Sequence, residues 1–336
     1  SQNQNSPDWT GTACWCPLRT QLFVGTLDPA MRGRSAGLCL LLPLTIFSLF
    51  IGRVSGFKIC SYNVQNFTLS KASDLRMLHT FTRVVSRCDI CLLLHVVDPD
   101  GKAIKALLSN LSRYNRDRYL SVASKGLGNS PGDMQQYVFI YRAHSVKVTG
   151  QYQYTGQPFV RPPFVVRFSS NKTAIPEFIL IPLHSDPDQA VQEIDGLYDV
   201  FVEVSTQWNN TNVMFLGDFH AGCAYVTRSD RKDIRLYSDS SFSWLIGDRE
   251  DTTVSDITNC AFDRIVVHGQ TFLKAIQPFS GKVFNFGREF KLPQRKVLEM
   301  SDHFPIEVTL KSPALLLQAT PPLIFLCISV IVQCFL

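Results

Sequence analysis

The sequence has no fixed-period repeat, no long tract of biased polar composition and no block of like charge. The first absence excludes a repeat architecture, and the second excludes a long disordered region. The formal net charge is only +5 and is spread along the chain, which permits contact with a polyanion without demanding it. Two strongly apolar runs, at 36–51 and 323–336, both fall short of the roughly 20 residues a membrane span requires. What is present is a 45% hydrophobic composition over 336 residues, enough for one large α/β domain or two ordinary ones. The middle of the chain reads as one globular unit.

The ends read differently. Met31-Arg32-Gly33-Arg34, the apolar run from Ala36 to Ile51, and Gly52-Arg53-Val54-Ser55-Gly56 have the layout of a secretory signal peptide, with the mature chain starting near Phe57. Pro43 inside the run argues against a membrane-anchoring helix. Residues 1–30 then stand upstream of the natural initiator as a non-native extension, in which Cys14 and Cys16 have no structural role. Residues 312–336 form a hydrophobic tail, apolar from Leu323 to Leu336 apart from Ser329 and Gln333, with Ser312-Pro313-Ala314 upstream. Such a tail fits a cleaved lipid-anchor signal or a retained tail anchor, and either points to a membrane surface. Pro321 and Pro322 weaken the alternative of a buried final helix. The expected location is the secretory pathway, secreted or membrane-anchored, with the endoplasmic reticulum as one possible station. Asn66, Asn110, Asn171 and Asn209 each open an Asn-x-Ser/Thr triplet and are glycosylation acceptors in that pathway.

Between Phe57 and Ser312 the cysteines are Cys60, Cys88, Cys91, Cys223 and Cys260, an odd set, so at least one thiol is unpaired or pairs between chains. Cys88 and Cys91 have the C-x-x-C spacing. They flank the entry to an apolar run, Ile90 to Leu94, and read as two small core residues rather than a redox pair.

Short β-branched or aromatic runs predict strands at 57–64, 90–97, 137–142, 164–168, 178–183, 212–216, 264–267 and 306–310. Helical patterns lie between several of them, at 72–86, 102–111 and 188–207; the last puts Ala190, Ile194, Leu197, Val200 and Val204 on one face. Strands packed between helices give an α/β layer protein. Polar residues fall at the strand ends: Asn63 near the end of the first run, His184 after Ile179-Leu180-Ile181-Pro182-Leu183, Asp218 after Val213-Met214-Phe215-Leu216-Gly217, and Asp302 with His303 before the last. A lone buried His or Asp is usually a satisfied structural group. Several hydrolase-type residues converging on one rim point instead to a site.

The motifs Phe57-Lys58-Ile59-Cys60-Ser61-Tyr62-Asn63-Val64-Gln65, Ile181-Pro182-Leu183-His184, Leu216-Gly217-Asp218-Phe219, Asn259-Cys260-Ala261-Phe262-Asp263-Arg264-Ile265-Val266 and Ser301-Asp302-His303-Phe304-Pro305 occur in the order seen in one known family. Across residues 57–311 the chain resembles the deoxyribonuclease I family of the endonuclease/exonuclease/phosphatase superfamily. It is most similar to the deoxyribonuclease I-like 1 branch. The resemblance implies a four-layer α/β/β/α sandwich, two packed mixed β-sheets flanked by helices, and a monomer that cuts DNA with Mg²⁺ and Ca²⁺. It further implies that His184 and His303 are the acid and base, with Asp263 orienting His303. Asp218 and Asp302 would hold the metal, aided by Asn63 and Arg161 at the phosphate. Cys223 and Cys260 would form the family's disulfide. Actin binding is left undecided.

Departures from the family pattern cluster at the same site. Leu94 and His95 stand where the family has Gln and a metal-binding Glu, and Val97 replaces an Arg that lies in the minor groove. Gln135 replaces a Glu that hydrogen-bonds the first catalytic histidine, and His220 replaces an Asn beside Asp218. Two readings follow: a metal-dependent endodeoxyribonuclease impaired by these changes, or a weak or inactive relative that binds DNA or protein at the cell surface. If His95 and His220 are themselves ligands, two imidazoles in place of a carboxylate and an amide shift a hard oxygen site toward Mn²⁺, Zn²⁺ or Co²⁺.

Overall fold

In the computed structural model, which describes residues 56–313, the strand residues alternate between two apolar interfaces. The expected signal peptide at 31–56, apart from Gly56, and the expected hydrophobic tail beyond Pro313 lie outside the described residues, as do Cys14 and Cys16. Among the described residues no helix is long and apolar enough to cross a membrane.

The described residues form twelve strands: β1 Phe57–Phe67, β2 Ile90–Val96, β3 Tyr119–Ala123, β4 Gln136–Arg142, β5 Lys147–Gln153, β6 Phe164–Ser169, β7 Glu177–His184, β8 Val213–Asp218, β9 Phe242–Trp244, β10 Asp263–His268, β11 Lys282–Val283 and β12 Ile306–Leu310. They form two six-stranded sheets, ordered β11-β12-β1-β2-β4-β3 and β5-β6-β7-β8-β10-β9. Each sheet is mixed, with one parallel pair at its centre, β1 with β2 and β7 with β8. The period of two explains the layering. Phe57 and Ile59 of β1, with Phe178 and Leu180 of β7, fill the core between the sheets. Cys60, Tyr62 and Val64 point the other way, toward helices α1 Leu75–Val85 and α2 Lys102–Asn115. Ile179, Ile181 and Leu183 likewise face helix α3 Ala190–Trp208, whose Ile194, Leu197, Val200 and Val204 form the opposing stripe. The result is the expected four-layer α/β/β/α sandwich.

The expected helix at 72–86 is divided into Leu69–Ser73 and α1. Asp74 causes the break: its extended backbone lets the carboxylate accept from the N–H groups of Arg76 at 2.8 Å and Met77 at 3.0 Å, capping a new helix. Of the sequon asparagines, Asn66, Asn171 and Asn209 are exposed, whereas the Asn110 amide donates to Thr82 Oγ1 at 2.8 Å.

The reading of Cys88 and Cys91 as two small core residues is corrected for Cys88, which forms a disulfide with Cys60 across 28 residues. Spacing along the chain could not show this, because β1 lies beside β2 and brings Cys60 to the turn before Ile90. Cys91 is the odd thiol. Burial pushes it up to about 12, so it stays protonated and unreactive. Cys223 and Cys260 pair as the resemblance implies, across 37 residues. In the chain-entropy account, closing either loop stabilises the fold by roughly 3–4 kcal/mol. The double replacement Cys60→Ala with Cys88→Ala is therefore expected to lower the unfolding free energy by about 3 kcal/mol. Denaturant titration under non-reducing conditions checks this, while Cys91→Ala should shift the midpoint far less.

Candidate active site

Strand register assembles the site. His184 at the end of β7 is paired with Asp218 at the end of β8, and Asp218 is in turn paired with Asp263 at the start of β10. The other sheet delivers Asn63 on β1 and His95 on β2 to the same rim, with His303 just before β12. Several of these positions depend on irregular backbone. The β1–β2 register shifts after Asn63, where Gln65 and Asn66 have φ of 43° and 61°, and His95 sits at φ 59°. His220 follows β8 at φ 47°. Gly217 precedes Asp218 at φ 143°, and any Cβ there would collide with the Leu183 carbonyl. Bulges of this kind re-aim side chains at the end of a sheet.

Asp218 lies at the centre with no exposure. Its Oδ2 accepts from Asn63 Nδ2 at 2.9 Å, a contact that joins the two sheets, and its Oδ1 accepts from the His220 N–H at 3.2 Å. Three imidazoles surround it: His220 Nδ1 at 3.5 Å, His303 Nε2 at 3.5 Å and His184 Nε2 at 3.8 Å. Burial alone would raise its carboxyl, but His220, His303 and His184, with the Asn63 amide, hold it below the usual carboxylate range. The His95 ring stands 5.4 Å from that of His184.

His303 and His184 are driven apart in charge. His303 Nδ1 meets Asp263 Oδ2 at 2.7 Å. Burial opposes its charge, yet Asp263 and Asp218 outweigh burial and push it up to about 10. His184 goes the other way: burial dominates over Asp218, and Arg161, His95 and His220 add to it, leaving a neutral ring. Without metal the site thus holds one imidazole carrying a proton to give and one free to take. Burial lowers His95 as well, with Arg161 next in effect. Its neutral ring is suited to a metal.

Supporting residues that sequence reasoning missed fix the backbone of this site. Tyr137 Oη donates to the Arg161 carbonyl at 2.8 Å and accepts the His184 N–H at 3.0 Å. Glu193 of α3 accepts the N–H groups of Val160 at 2.8 Å and Asp186 at 3.2 Å, pinning the segments that flank Arg161 and His184. Burial pushes its carboxyl up to about 7. An acid beside Ile194 on the apolar stripe of that helix was the available signal. Lys71 donates to the carbonyls of Val64 at 3.1 Å and Met300 at 2.7 Å, tying the β1 bulge to the segment before His303. Buried Arg264 bonds the carbonyls of Ala221, Ile246 and Ala261 and so orders the loops behind His220 and Asp263.

The sequence-derived positions are not all in contact. Gln135 turns to Asp133, donating from Nε2 to Oδ1 at 3.0 Å, rather than to His184. Gln135 Oε1 and His184 Nδ1 are both buried without a partner. Asp302 is exposed and comes within 3.9 Å of His303 Nε2. Among the described residues, the set with mutual ligand reach is Asp218, Asp263 and His303, whose ligand atoms lie within 4.8 Å of one another. Asp263 Oδ1 is also buried without a partner. Close, buried carboxylates with an unused lone pair suit a divalent cation, so the donor chemistry fits the group the resemblance implies.

A two-sheet sandwich with buried carboxylates and opposed histidines at one rim defines a hydrolase of phosphate esters. Residues 60–303 match the Endonuclease/Exonuclease/phosphatase family, and the chain belongs to that family, within its deoxyribonuclease I group. Deoxyribonuclease gamma of Homo sapiens is 41% identical over 280 residues, covering 81% of this chain and 92% of that protein. Deoxyribonuclease-1-like 2 of Mus musculus is 42% identical, covering 80% and 98%, and deoxyribonuclease-1-like 1 of Cricetulus griseus is 40% identical, covering 80% and 89%. Among solved structures, an endonuclease/exonuclease/phosphatase family protein from Leptotrichia buccalis shares the fold with a TM-score of 0.52 at 15% identity, covering 76% of this chain and 99% of that one.

The charge on His303 depends first on Asp263. In metal-free Asp263→Asn protein, the His303 ring is expected to titrate near the ordinary imidazole value of about 6.5, whereas the native ring stays protonated through neutral pH. NMR of the ring protons against pH reads this directly, and an unchanged high value in the variant would overturn the assignment.

Proposed function

We propose that the protein is a divalent-metal-dependent endodeoxyribonuclease of the secretory pathway. The observation that carries this reading is the buried Asp218 carboxylate ringed by His184, His220 and His303, with Asp263 locked to His303. Deoxyribonucleases about 40% identical across nearly their full length support DNA as the substrate. Two disulfides support an oxidising compartment, and a membrane surface is the proposed partner of the hydrophobic tail.

In this reading Asp218 and Asp302 hold the cation, with His95 and His220 as added nitrogen donors. The bound metal supplies charge neutralisation at the scissile phosphate and an acidified water. His303, oriented by Asp263, and His184, held through Tyr137, serve the two proton transfers. Asn63 keeps Asp218 ionised and aimed. Arg161 faces the phosphate oxygens. Imidazoles at 95 and 220 place Mn²⁺, Zn²⁺ or Co²⁺ ahead of the Mg²⁺ and Ca²⁺ that the resemblance implies.

Plasmid nicking by the purified protein tests this. Cutting should vanish in chelator and be faster with Mn²⁺ or Co²⁺ than with Mg²⁺. His95→Glu should raise the Mg²⁺ rate roughly 10–100-fold by restoring a hard oxygen ligand. Absence of nicking with every metal, with duplex binding retained, would replace this reading with that of a DNA-binding relative lacking turnover.

A further inference from the structure

Arg161 reaches the rim with all three of its nitrogens already donating. Nε donates to the His184 carbonyl at 3.2 Å, Nη2 to the Ser185 carbonyl at 3.5 Å, and Nη1 to Asp133 Oδ2 at 2.9 Å. The two carbonyl contacts anchor the guanidinium to the site. The third is of a different kind, a full charge pair with a loop residue. The Arg161 side chain is 7% exposed and that of Asp133 is 41% exposed, so the carboxylate is the more solvent-facing partner of the pair.

The loop presents this carboxylate in a set position. Leu127 and Gln135 pair across its base through N–H to carbonyl bonds of 2.8 and 2.9 Å, and the Asp133 N–H closes a turn on Ser130 at 3.0 Å. Gly128, at φ 156°, leaves room for the Asp133 carbonyl where any Cβ would collide. Gln135 completes the arrangement, since its amide Nε2 donates to the second Asp133 oxygen at 3.0 Å. One oxygen is therefore held by an amide and the other by the guanidinium. A carboxylate in that place offers Arg161 a negative charge and one acceptor oxygen, as a phosphodiester oxygen would.

We propose that Asp133 is an internal competitor for the substrate phosphate at Arg161, held in place by Gln135, so that DNA engages this arginine only when the Asp133 carboxylate is displaced. The proposal rests on the reading of this rim as the DNA-cutting site and adds a determinant of its affinity. It also gives the amide at position 135 a task. A carboxylate there could not donate to Asp133 and would repel it, so Gln135→Glu should release Arg161 in the same way as removing the competitor.

The test is binding of the full-length protein to a labelled DNA duplex by fluorescence anisotropy, in chelator so that nothing is cut, across a series of salt concentrations. Asp133→Asn keeps the shape of the loop residue and removes its charge. It should tighten binding about fivefold and steepen the salt dependence by about one phosphate contact, a slope change near 0.9. Gln135→Glu should shift affinity in the same direction. In an Arg161→Ala background, Asp133→Asn should bring no gain. Because the expected effect is a gain, misfolding cannot imitate it. Unchanged affinity in Asp133→Asn, or a gain that survives loss of Arg161, would overturn the proposal. If Asp133→Asn tightens binding while no metal supports nicking, the nuclease reading fails and the competitor stands. If the protein nicks DNA and Asp133→Asn binds no more tightly, the competitor alone fails.

Discussion

The site is built around one costly arrangement, an ionised carboxylate with no access to water at the seam between two sheets. Burying the Asp218 charge without partners would cost several kcal/mol. The protonated His303 and the Asn63 amide offset that cost, with the His184 and His220 rings beside them, and each comes from a different segment of chain. The apolar packing of the two sheets brings β1, β7, β8 and the segment before β12 to one rim, and the compensating groups lie where they meet. The Asn63 contact at 2.9 Å crosses between the sheets, so the layer packing and the site geometry are constrained together.

Concentrating histidines around one acid has a chemical consequence. The imidazoles do not share one environment. His303 has Asp263 behind it, while His184 has Arg161 beside it and no partner at Nδ1. Identical side chains thereby acquire opposite protonation, which is the separation that paired proton transfer needs. His95 and His220 add to the crowding: they occupy left-handed backbone positions at the bulge and after β8, and their rings lie near His184.

A second group of residues acts on backbone rather than on substrate. Tyr137 and Glu193 hold the segments carrying Arg161 and His184, Lys71 ties the β1 bulge to the segment before His303, and Arg264 gathers three carbonyls behind the site. Each is a polar group, buried except for half-buried Lys71, that is satisfied by main-chain partners, which orders the loops it holds. Loops so held can present side chains at the end of a rigid sandwich.

Much was legible in the sequence because local periodicity carries it. Alternating apolar runs marked the central strands, and motifs in order marked Asn63, His184, Asp218, Asp263 and His303. Edge strands such as β3 and β5 escaped because half-exposed strands carry little apolar signal. The Cys60–Cys88 bond escaped because it depends on which segments become neighbours, whereas the helix break at Asp74 and the turn of Gln135 to Asp133 are local contacts that apolar periodicity does not carry. The sequence by itself determined the family, the layer pattern and the candidate site positions, since these follow from residue type and order. Only the tertiary structure decided the charge states of His184 and His303, the frame of Tyr137 and Glu193, and the pairing of Asp133 with Arg161. Those depend on burial and on distances of a few ångströms between residues far apart in the chain.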